Sequence, residues 1–318
     1  MSEPEATEQT VGKKARQHFF IPVDAASFFN ELDEAAGRSS LLFREISKSF
    51  RRNLESVMLT VSVPFQLSAA AAQRLRFQQL HIAGKIRAQI RIDEGKTEDE
   101  AHAEAFTIAT ERLADELKLP ENIDRLSNQI LGSLEQSLAS EEFARASSEL
   151  LRQGVVSVWS ALEVLAQDLI VSLLNARPEL AVELLTHERT KALFQLKAIP
   201  LETLAVYDFD VSKSFGDILI RHRSIDTTPS MKAVFSVLLP KCSTLIAALE
   251  QKELWILNQR RHLFVHRRGI VDASYLSKTG ETLAIGCELC ISPTDLEKYL
   301  SVVMHTGIEL INEVSKHY

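Results

Sequence analysis

Apolar residues along this chain recur mostly at intervals of three and four, the period of helices that bury one face. Leu42, Ile46, Phe50, Leu54 and Val57 form one such row, opened by Ser39 or Ser40 and ending before Pro64. Asp24 caps an earlier helix that Gly37 closes. Ser68 to Glu94 reads as one long helix. Thr97-Glu98-Asp99-Glu100 is a capping box for the next, which runs to about Lys118 ahead of Pro120, and a further helix fills 121–138. From Ser140 to Asn175 the pattern is again helical, with Val155, Val158, Leu162, Leu165 and Leu169 as a seam that packs on partner helices. Helical pieces follow at 178–199 and 200–207, then a polar linker, Arg221–Ser230, a helix at 231–249 and another at about 250–268. Glu281–Ile291 alternates around Gly286 as a small hairpin, and Ser292-Pro293 starts a final helix, with proline at its first position.

These elements predict an all-α chain: a loose, disordered polar tail over 1–18, an N-terminal helical arm or bundle over 19–140, and a C-terminal helical bundle over 141–318 with one small β-hairpin. Composition agrees, since 11 glycines and 9 prolines are too few for a strand-rich fold with many tight turns. No apolar run approaches the roughly 18 residues of a membrane span, and the polar start lacks a signal-peptide core. With only Cys242, Cys287 and Cys290, the chain carries no disulfide scaffold. A soluble, cytoplasmic protein without membrane contact is the expectation.

The net charge of −7 changes the picture in one respect: no whole-molecule field draws in nucleic acid, so any such contact is local. Two places concentrate positive charge. Between Glu55 and Asp93 there is no acidic residue, while Arg74, Arg76, Lys85, Arg87 and Arg91 accumulate. That run reads as an RNA-backbone track, as a docking face for an acidic partner, or as a solvated face against the acidic Glu98–Glu121 region. Only Phe77 interleaves it, which is poor for reading bases.

The second place is Arg260-Arg261-His262-Leu263-Phe264-Val265-His266-Arg267-Arg268-Gly269. Rotating about 100° per residue from Leu254 puts Leu257, Phe264 and Val265 on one core-facing stripe, with Arg261 about 20° from Leu254 inside it. Trp255, His262 and His266 form the neighbouring stripe, and Asn258 lies between the two. A charge on a core-facing stripe is costly unless it is paired, bound to an anion or open to a groove. Gly269 suits the left-handed position after the helix, and Arg267 and Arg268 complement its negative end. An imidazole can move the proton of a 2′-hydroxyl and a guanidinium can steady the charge growing on phosphorus, so this edge can cleave RNA without metal or cofactor. A metal shared by His262 and His266 is the competing reading, but no Asp or Glu lies between them or just after. Cys287-Glu288-Leu289-Cys290 is only half a zinc site and reads as small apolar thiols.

These residues resemble the HEPN domain, an all-helical family marked by an Arg, four to six residues, then a His. Arg261 fits with four residues before His266, and Arg260 with five. The trailing Gly269-Ile270-Val271-Asp272-Ala273-Ser274-Tyr275-Leu276 and the upstream Ser160-Ala161-Leu162-Glu163-Val164-Leu165-Ala166-Gln167-Asp168-Leu169 extend the likeness, which covers about 150–318. The resemblance implies a homodimer formed through the motif helices, with two Arg/His sets in one composite cleft. Many members are metal-independent endoribonucleases of toxin–antitoxin, abortive-infection and CRISPR systems, which implies a toxin or anti-phage effector here. By position, His266 is then the acid/base, Arg261 the phosphate clamp and His262 the polar helper, supported by Arg260, Asn258 and Glu163. Arg267, Arg268, Arg74, Lys85, Arg87 and Arg91 are the candidate RNA contacts. In members silenced by modification of a tyrosine, that residue lies two positions beyond the His; here Arg268 stands there, and the next tyrosine is Tyr275. RNA is the expected partner, with an antitoxin or defence-system protein beside it. The other reading is a non-catalytic helical dimer that senses nucleotide or protein through the same cleft.

Overall fold

The computed structural model describes residues 13–22, 25–37, 39–92, 97–194, 198–220 and 225–317. The described residues form fifteen helices and one isolated antiparallel bridge, Ile270 with Glu288, so the chain is all-α. The expected cap at Asp24 lies outside the described residues.

The helices gather into two compact units, and the division differs from a cut near 140. One unit holds Met1–Ile21 and Val61–Glu149, and the other holds Pro22–Thr60 and Leu150–Tyr318. The reason lies in the apolar row, which begins at buried Phe43 and not at the expected Leu42, itself 41% exposed. Phe43, Ile46, Phe50, Leu54 and Val57 are buried, and the Phe50 ring packs on the backbone of Gly307 and near Leu165. Ser39 Oγ also lies 3.2 Å from Ser315 Oγ, tying the preceding turn to the last helix. Residues 22–60 thus complete the core of the C-terminal helices.

In the first unit, helix Val63–Ile92 packs with Glu98–Glu116 and with Pro120–Ser137. The capping box at Thr97 and Glu100 forms as the sequence predicts. Residues 13–18 are helical and not a loose tail. Ala15 and Phe19 are buried against Ala72, Ile130, Leu131 and Leu134, and Ala15 N donates to Glu135 Oε1 at 3.3 Å.

In the second unit the centre is the helix Glu141–Ala176 from Leu150 onward, whose seam residues Val155, Val158, Leu162, Leu165 and Leu169 are all buried. Among the described residues this helix is long and apolar enough to cross a membrane, contrary to the sequence expectation, and the helices Leu41–Val61 and Val63–Arg87 pass only if taken together; more than half of the apolar stretch of Glu141–Ala176 is buried within the protein. Around it lie the motif helix Lys252–Arg267 and the terminal helix Pro293–His317. The helix expected over 231–249 is two, Thr228–Leu238 and Ser243–Leu249. Pro240 lacks the backbone donor a continuous helix needs, and Lys241 takes a left-handed φ of 80°. The hairpin expected within 281–291 takes another form: its second half pairs with the segment after the motif helix. Val271 N donates to Cys287 O at 2.9 Å, Leu289 N to Gly269 O at 2.8 Å and Gly286 N to Val271 O at 2.8 Å.

Candidate functional site

The motif helix ends as its sequence demands, with one addition. Arg268 and Gly269 both take left-handed backbone, at φ 52° and 81°, and their N–H groups both reach Leu263 O. A side chain at 269 would press on the Phe264 ring at 3.1 Å, so glycine is favoured there by space as well as by φ. Leu254, Leu257 and Phe264 face the core as predicted, but Val265 does not: it is 49% exposed, and Leu263 is buried in its place.

Arg261 is held by the long helix. Its Nη2 lies 3.6 Å from Glu163 Oε2, both side chains are 19% exposed, and its buried Nε has no hydrogen-bond partner among the described residues. Burial pushes the Glu163 carboxyl above the ordinary value, Arg261 offsets part of that, and Asp226 adds to it. Gln167 Nε2 donates to the other Glu163 oxygen at 3.5 Å. Glu163 therefore steers the one cation of the motif that lies on its core-side stripe.

His262 and His266, one turn apart, place their ring centroids 4.5 Å from each other at 50°, and both residues are exposed. The His262 imidazole is pulled below its ordinary value, by burial first, then by His266, Lys278 and Arg261, with Asp272 opposing. It is the neutral, proton-accepting form that this environment favours. Helix geometry sets Arg261 and His266 about 140° apart around the axis. His262 stands between them, acting electrostatically with both.

Arg260 belongs to a different cluster. It is 13% exposed, its Nη2 donates to Glu281 Oε1 at 3.0 Å, and its Nη1 lies 3.7 Å from Asp295 Oδ1. Its guanidinium sits 5.8 Å from the centre of the Tyr299 ring. Burial works against the charge, but Tyr299, Tyr275 and Glu281 outweigh it, and the guanidinium is held more firmly protonated than usual. Tyr275 is buried and donates to Glu281 Oε2 at 2.7 Å. The supporting role expected of Arg260 is thus one of locking 275–299 to the motif helix, on another face from the histidines. Asn258 is 4% exposed, and its amide donates to Asp226 O at 3.3 Å, so it anchors the helix internally and does not line an open cleft.

Arg267 is exposed and lies 3.5 Å from Asp272, and Arg268 is exposed. Arg74, Lys85 and Arg87 are exposed in the other unit, and the side chain of Arg91 lies outside the described residues. Sequence reasoning missed Lys278 and Asp272 beside His262, and Asp226 beside Glu163 and Asn258. Trp255 Nε1 donates to Lys278 O at 3.1 Å, which brings the helix Ala273–Thr279 against the histidine edge. Among the described residues no three His, Cys, Asp or Glu side chains gather as a metal site. No family model matches this chain, and neither does any curated protein or solved structure.

Proposed function

We propose that this protein is a metal-independent endoribonuclease of the HEPN type, acting as a toxin or anti-phage effector in the cytoplasm. The observation that carries the reading is the exposed pair of imidazoles 4.5 Å apart, with the Glu163-held guanidinium of Arg261 on the adjoining stripe. The residues at 261 and 266 are those the resemblance assigns to clamp and acid/base. In the proposed reaction His266 takes the proton of a ribose 2′-hydroxyl, a bond forms between O2′ and phosphorus, and the bond from phosphorus to O5′ breaks. The proton returns to O5′, leaving a 2′,3′-cyclic phosphate. Arg261 neutralises the charge that grows on the phosphoryl oxygens, and neutral His262 accepts or relays a hydrogen bond between them.

A homodimer through the motif helices fits this reading. Val265 and Ile270, exposed to 49% and 44%, are apolar surface beside the histidine edge that a second copy would cover. That pairing would bring a second Arg261 and His266 opposite the first and complete a cleft that one chain leaves half-built. A partner antitoxin would act by covering the same face.

Expression in a bacterial host tests the reading. Wild type halts growth and fragments cellular RNA; Arg261→Ala and His266→Ala do neither while accumulating as folded protein. Arrest by all three proteins would remove the motif from the mechanism. No arrest by any of them, with intact RNA, would favour the non-catalytic sensor.

A further inference from the structure

The first unit carries a second concentration of chemistry, one that the sequence shows only in part. Helix Val63–Ile92 has no acidic residue, and one of its cations, Arg76, is committed to Glu116 at 2.6 Å. Arg74, Phe77, His81 and Lys85 follow at steps of three and four, which sets them in one row along the helix. The row spans about 16 Å, and Arg74 and Lys85 at its ends are exposed.

A third ring joins it from the neighbouring helix. The Phe106 centroid lies 5.3 Å from Phe77 and 6.1 Å from His81, and Phe77 and His81 stack at 5.8 Å and 30°. The close approach is set by Gly84: a side chain there would meet Ala105 O at 3.2 Å. Phe106, the residue after Ala105, is 55% exposed, with His102 and Thr110 exposed one turn to either side. Two rings between two cations on a helix without a carboxylate, joined by a third ring from the acidic helix beside it, is a combination that holds single-stranded nucleic acid. Bases stack on rings whatever their sequence, and the cations follow the phosphates.

We propose that Phe106, His81 and Phe77, flanked by Arg74 and Lys85, form a stacking platform for single-stranded nucleic acid in the first unit. This site stands on that unit alone and goes beyond the ribonuclease reading, since binding here needs no cleavage. Exposed Leu75 and Ile82 on the same helix suit a protein partner instead, and the test separates the two.

The test uses the full-length protein and a labelled single-stranded DNA of about 16 nucleotides, long enough for such a platform and unable to react through a 2′-hydroxyl. Phe106→Ala weakens binding about ten-fold, and Phe106→Tyr retains it. Phe106→Leu, which keeps apolar bulk without a π face, behaves like Phe106→Ala. Replacing both Arg74 and Lys85 by alanine lowers the slope of log affinity against log salt by about 1.4. These side chains are at the surface, and circular dichroism checks that each variant stays folded. Unchanged binding in Phe106→Ala, or full binding in Phe106→Leu, would overturn the platform, and so would wild type that does not bind the oligonucleotide, the last in favour of a protein-docking face. Loss of RNA cleavage in His266→Ala with oligonucleotide binding intact would support it, because the two sites then fail separately.

Discussion

Arg261 Nη2 lies 3.6 Å from Glu163 Oε2, yet the carboxylate of that pair titrates above its ordinary value because burial penalises the anion more than Arg261 favours it. An acid whose folded value is raised contributes stability that is present below its ordinary 4.5 and lost as pH rises through the higher folded value. Wild type therefore loses some stability as pH rises from about 4.5 through the raised folded value of Glu163. Glu163→Gln flattens that part of the profile, as read from denaturant midpoints across the range. An unchanged slope in the variant would show that Glu163 is not the group responsible.

Two neighbouring arginines are expected to fail in opposite ways. Arg260→Ala strands Glu281 beside buried Tyr275 and Tyr299, and costs about 3 kcal/mol of unfolding free energy. Arg261→Ala costs only about 1 kcal/mol but lowers RNA cleavage by about a hundred-fold or more. Urea titration and a cleavage assay on both variants check the contrast. If Arg261→Ala unfolds like Arg260→Ala while cutting RNA normally, the roles are reversed.

This contrast also marks what the sequence could tell. Periodicity placed Leu254, Leu257 and Phe264 in the core and the histidines outside it, because helix rotation follows from the backbone alone. It misplaced Val265, whose exposure depends on how much of the helix its neighbours cover. Arg260 and Arg261 are indistinguishable as motif members; only the helix Ala273–Thr279 and the start of the terminal helix, packed on one side, and Glu163 on the other tell them apart. Asp272 and Lys278 lie too far along the chain for spacing to pair them with His262. The capping boxes at Thr97 and Thr227 show another limit: Glu at the third position made the first legible, while Ser230 in that role hid the second.

His262 is expected to titrate below its ordinary 6.5, since burial and the His266, Lys278 and Arg261 groups all disfavour its cation. A folded value below the unfolded one means a contribution to stability that is present above 6.5 and lost as pH falls through the folded value. Histidine NMR titration reads this directly. In His266→Ala the His262 value moves back up, because one of the opposing groups is gone. A His262 value at or above 6.5 in the wild type would contradict the assignment.

Gly307 is expected to be irreplaceable for a reason outside the candidate site. A Cβ there would come within 2.4 Å of the Phe50 ring, so Gly307→Ala overpacks the contact that joins residues 22–60 to the terminal helix. The cost is about 2 kcal/mol. Phe50→Leu, a smaller side chain, restores part of it in the double variant, and thermal unfolding of the three proteins measures the coupling. Simple additivity of the two changes would mean that Phe50 and Gly307 do not share a contact.

The most direct test of the central claim is cleavage of a single-stranded RNA by purified protein in excess EDTA, with product ends analysed. The account predicts that wild type cuts to 2′,3′-cyclic phosphate ends and that folded His266→Ala does not cut. Undiminished cutting by His266→Ala, or activity that vanishes with the chelator, would contradict it.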